Sequence, residues 1–165
     1  MSPKTLLLAL ALSLPALPAT ADPVCGKLAW PLEHERALLN GTFDAFASDA
    51  TRKATPSRAL GVLLVPADKA ALPVPATKPA DAAKFSGYFT VPVTAAGDYL
   101  VSLSSEGWID AIQDGAEVAS TAHTSDPDCP GLRKSVRFTL GAKPLTLEIV
   151  NAPRSTIALA ITPAP

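Results

Sequence analysis

Residues 85–122 read FSGYFTVPVTAAGDYLVSLSSEGWIDAIQDGAEVASTA, and this stretch decides the fold of the 165-residue chain. Phe85, Gly87, Phe89, Val91 and Val93 fall on one face of an extended segment. Such a period of two marks a strand with one side buried. Tyr99, Val101 and Leu103 alternate in the same way with Leu100, Ser102 and Ser104. Gly107–Gln113 follows, and Asp114-Gly115 is the dipeptide that tight hairpins select, with Glu117–Ala122 as the returning partner.

The pattern continues outward. Leu60–Val65 is a continuous apolar run suited to a central strand. Later, Val136, Phe138 and Leu140, then Leu145, Leu147 and Ile149, then Ile157, Leu159 and Ile161 repeat the alternation. About eight short strands with regular turn signals predict an all-β chain folded as an antiparallel, jelly-roll-like β-sandwich. One short helix is expected from Trp30-Pro31 to Asn40-Gly41, with Pro31 at its first position and Glu33, His34, Glu35 and Arg36 facing water. Residues 41–58 carry little pattern and read as loop. Residues 66–83 hold Pro66, Pro73, Pro75 and Pro79 and read as an extended surface crossover.

Residues 1–21 have the form of a secretory signal peptide. Lys4 is followed by an apolar run from Leu6 to Leu14, and Ala19-Thr20-Ala21 offers a cleavage site. The run is too short to span a bilayer, which needs about 20 residues. The expected product is a single domain over residues 22–165, periplasmic or secreted, with no stable membrane insertion. Loss of Lys4 takes the formal net charge from −1 to −2. No basic stripe suggests nucleic acid. Cys25 and Cys129 in an exported chain predict one intramolecular disulfide, the alternatives being free thiols or an intermolecular bridge.

Two places could carry chemistry. The segment His123–Lys134 gathers His123, Asp126, Asp128, Arg133 and Lys134 beside Cys129. It reads as a turn-rich connecting loop or as a ligand site clamped by the bridge. The other place is Gly107-Trp108-Ile109-Asp110. Trp108 is expected to pack between the sheets, with Asp110 on the same face needing a partner such as Arg133, Lys134 or Arg137. On an open face the pair would instead serve as a sugar platform. A metal site would have to join His34 and His123 to a nearby carboxylate, the two-histidine, one-carboxylate set that suits iron. Asp126 and Asp128 are the oxygens a calcium ion would use, without an EF-hand pattern around them. No cofactor is expected. No nucleophile elbow, Walker loop or dinucleotide fingerprint occurs. The expected role is a non-catalytic binding or accessory module for a protein or carbohydrate partner. The alternatives are a small metal-dependent enzyme and a structural envelope protein.

Two resemblances accompany this reading. The run Phe89–Ser104, followed by Trp108-Ile109-Asp110 and Asp114-Gly115, resembles bacterial pre-peptidase C-terminal and related jelly-roll modules. That likeness implies a non-catalytic accessory domain. The stretches Cys25–Glu33, Trp108–Asp110, Ser120–His123 and Asp128–Lys134 are similar to a group of small exported proteobacterial proteins, some of them labelled homogentisate 1,2-dioxygenase. That label implies iron held by two histidines and a glutamate, which here would be His34, His123 and Glu33 or Glu35.

Overall fold

The computed structural model describes residues 23–51 and 58–165. The signal-peptide reading of residues 1–21 lies outside them. The fold is an all-β sandwich of two six-stranded sheets with one short helix. In sheet one, β1 (Ala45–Ala47) pairs in parallel with β3 (Leu60–Leu63). Next come β12 (Thr156–Pro163), β6 (Gly97–Leu103), β10 (Lys134–Leu140) and, at the edge, β9 (Ser120–Ser125). In sheet two, β2 (Ala50–Thr51) and β4 (Val65–Pro66) both pair with β5 (Phe85–Pro92). β5 is followed by β11 (Pro144–Ala152), β7 (Trp108–Gln113) and β8 (Ala116–Val118).

The core lies between the sheets. It holds the inward residues of each alternation, among them Phe89 and Val91, Val101 and Leu103, Phe138 and Leu140, Leu147 and Ile149, and Ile157 and Leu159. Asp114 and Gly115 both have positive φ, 53° and 73°, the left-handed pair that a two-residue hairpin demands. The hairpin is shorter than the sequence suggests. β8 ends at Val118, and the chain crosses at Ala119 to begin β9 in the other sheet. Residues 41–58, expected as loop, supply the short strands β1 and β2; residues 52–57 of that stretch lie outside the described residues.

The helix, α1, runs Glu33–Leu39, so Pro31 precedes it and Leu32 takes the N-cap position. Leu32 is buried, and its φ of −137° lies outside the helical range, so the helix begins at the next residue. α1 packs on the outer face of sheet one, where Leu32 and Leu39 form a second apolar cluster with Leu100, Leu132, Ala158 and Ala160. Glu35 does not face water. It is buried, and Thr162 Oγ1 donates to its Oε1 at 2.6 Å. The disulfide Cys25–Cys129 is formed, joining positions 104 apart and closing this cluster.

Candidate functional site

On β7, Ile109 and Ala111 point into the core. Trp108 and Asp110 therefore stand on the outer face of sheet two. Trp108 is not packed between the sheets as expected. It is 37% exposed, whereas Asp110, two residues on, is only 4% exposed. The partner of Asp110 is no cation. Its carboxylate accepts the Thr77 backbone N–H (3.1 Å), the Thr77 hydroxyl (2.6 Å) and the Trp108 indole N–H (2.8 Å). The indole N–H is also 2.7 Å from Thr77 Oγ1. Thr77 lies in the proline-rich crossover, so one buried carboxylate pins that segment and orients the indole.

A second carboxylate sits beside it. Glu148 on β11 is in register with Asp110 on β7 and with Tyr88 on β5. Glu148 is 0% exposed, and its Oε1 accepts the Val74 backbone N–H at 3.1 Å. Its Oε2 has no hydrogen-bond partner among the described residues. Burial pushes the Glu148 carboxyl above the usual carboxylate range, the Val74 N–H opposes that shift, and the Asp110 charge adds to it. A third anchor is Asn151, where β11 bulges and φ is 60°. Its amide accepts from Asp81 N–H and donates to the Pro79 carbonyl.

Around Trp108 two clefts open where β7 of sheet two meets β9 and β10 of sheet one. The first, about 350 Å³, is lined by Lys78, Lys84, Arg133 and Lys134 together with Glu106, Trp108 and Ser125. The second, about 280 Å³, is lined by Trp108, Ile109, Ser120, His123, Ser125, Lys134 and Val136. Trp108, Ser125 and Lys134 line both, so the clefts meet at the indole. The Lys78 and Lys134 ammonium groups lie 4.7 and 5.2 Å from the indole ring centre, within cation–π range. Lys134 also donates to the Gly107 carbonyl at 3.0 Å. Its ammonium is pushed below the usual lysine range, first by burial, then by Arg133 and by Lys78, with Glu106 opposing.

The segment His123–Lys134 divides in two. His123 and Ser125 belong to β9, and Lys134 opens β10. The true loop, 126–133, is structural at its start. Asp126 is buried, and its carboxylate accepts the backbone N–H groups of Lys27 (3.2 Å) and Asp128 (3.0 Å). Asp128 forms an exposed ion pair with Lys27, which holds its carboxyl below the usual range. These bonds tie the loop to the N-terminal segment beside the disulfide. His34 is exposed on α1, and His123 is exposed on β9. Among the described residues no three His, Cys, Asp or Glu side chains come together as a metal-holding group, so His34, His123 and a carboxylate are not assembled. Missed by sequence reasoning were Thr77, Lys78, Lys84 and Glu148. The signal for Glu148 was present, since it is the one charge inside an apolar strand run.

No family model matches the chain, and no match to it was found among curated proteins.

Proposed function

We propose that this protein is an exported, non-catalytic binding module whose ligand groove is centred on Trp108. One observation carries the reading. A buried carboxylate, Asp110, is committed to holding a half-exposed indole at the junction of two clefts. Fixing an aromatic ring in water by a desolvated charge is costly for stability alone, whereas it pre-organises a recognition surface. The disulfide fits an oxidising compartment, in line with the export signal read in residues 1–21, and it ties the loop that joins β9 to β10 to the N-terminal segment.

The test is a glycan and envelope-protein array probed with the exported protein and with Trp108→Ala. Binding that falls by about tenfold or more in the variant, with the β-sheet fold retained by circular dichroism, supports the module. Equal binding by both proteins, or binding by neither, refutes a Trp108-centred site. Fractionation of cells expressing the full chain tests the location, with recovery outside the cytoplasm expected.

A further inference from the structure

We infer that the ligand of the Trp108 groove is an acidic oligosaccharide, a chain of pyranose rings carrying carboxylates. This rests on the binding-module reading and adds the ligand's chemistry. Charge is the first argument. The first cleft gathers four of the chain's 14 basic side chains and one of its 15 acidic ones. Lys78, Lys84 and Arg133 form no ion pair among the described residues, and Lys134 is held by a carbonyl, not a carboxylate. A protein of net negative charge thus keeps a local excess of cations facing one cavity, a field that an anion relieves. The Lys134 ammonium is pushed down first by burial, and Arg133 and Lys78 add to that against Glu106, which fits the same picture.

The second cleft argues against a bare anion. Ser120, Ser125 and His123 offer hydroxyl and imidazole groups, while the exposed indole of Trp108 offers apolar surface. That mixture suits a sugar ring, which has polar edges and C–H faces. The two clefts share the indole, so a ligand crossing from one to the other brings a ring past Trp108 and a carboxylate to Lys134 and Arg133. A single phosphate or sulfate would leave most of the combined space unused.

The experiment is calorimetric titration of the disulfide-bonded protein with three uronate tetrasaccharides, built on galacturonate, mannuronate or glucuronate. Carboxyl-reduced neutral counterparts and sodium sulfate serve as controls. At least one uronate is expected to bind about tenfold or more tighter than its neutral counterpart, the worth of one charge-assisted hydrogen bond. That preference is expected to shrink between about 50 and about 500 mM salt. Arg133→Gln with Lys84→Gln should abolish the preference while leaving the thermal midpoint in place, and Lys134→Gln offers a second route to the same result. Trp108→Ala should weaken the acidic and neutral sugars alike. Equal, Trp108-dependent binding of neutral and acidic sugars overturns the acidic ligand while leaving the module standing. Sulfate binding as tightly as the sugars overturns the saccharide. Binding of none of the three uronates overturns the inference, and the array then judges the module separately.

Discussion

The two outer faces of the sandwich are covered in different ways. Sheet one is roofed by α1 and the N-terminal segment, which meet it mainly through Leu32, Leu39, Leu132 and Ala160, with Glu35 and Asp126 as polar ties, and are stapled by Cys25–Cys129. Sheet two is roofed by the proline-rich crossover, which meets it through carboxylates: Asp110 accepts Thr77, and Glu148 accepts Val74. A helix satisfies its own backbone and can present apolar side chains. An irregular segment cannot, so its N–H groups must find acceptors on the surface beneath. The buried acids supply those acceptors. The groove opens beside the sheet-two roof, where β7 meets β9 and β10. There the covering segment is held by a few directional bonds, and that arrangement leaves an indole and several cations open to solvent.

The largest effect is expected on the apolar roof. Replacing Cys25 and Cys129 together by serine should lower stability by about 2–4 kcal/mol, since the bridge closes a long loop. Chemical denaturation under non-reducing conditions measures it. Hydrogen exchange should show the loss concentrated in α1 and residues 126–133, with the crossover protected as before. Equal loosening of both roofs would mean that they are one cooperative unit.

A smaller but more telling effect is expected at Asp110. Asp110→Ala removes the acceptor of three donors, and Thr77 N–H loses a bond to a charged group. Losses of about 1.5–3 kcal/mol are usual for such bonds. Removing Asp110 also relieves the charge beside Glu148, so the net cost should fall at the lower end, near about 1.5 kcal/mol. Exchange should quicken across residues 74–81, and the indole should lose its fixed orientation, seen as a weaker near-ultraviolet dichroism band. An unaltered band would show that Thr77 and the two lysines hold Trp108 without the carboxylate.

The sheets were legible from alternation because packing between two layers imposes a period of two on every inward residue, from Phe89 to Ile161. The disulfide was legible from the cysteine count and the export expected from residues 1–21. Trp108 and Asp110 were legible as a pair, but their face was read as core, because strand periodicity says which residues share a side and not which side meets water. The partners of Asp110 were illegible for a related reason. Thr77 lies 33 positions away in a segment without periodicity, and only the folded path of the crossover brings it over β7. The basic cleft was half legible: Arg133 and Lys134 were singled out, while Lys78 and Lys84 arrive with the same crossover. Glu35 misled because a charge on a short helix ordinarily faces solvent, and its partner Thr162 sits on the last strand.

The finest test of the two roofs is a pH profile at Glu148. Its carboxyl titrates above its unfolded value of 4.5 because burial disfavours the charged form. The folded state then holds its proton in a range where the unfolded state has released it. Stability should therefore be greatest below about pH 4.5 as far as this group is concerned, and fall as pH rises through the folded value. Glu148→Gln keeps an acceptor for Val74 and carries no charge. It should remove this group's downward slope, while the amide NH2 that replaces Oε2 is left as unpartnered as that oxygen was, so the change is read in the slope and not in a gain at one pH. Thermal midpoints of both proteins between pH 4 and pH 8 decide the matter. Parallel curves would mean that Glu148 stays ionised beneath the crossover, and the roof of sheet two would then rest on two fully charged acids.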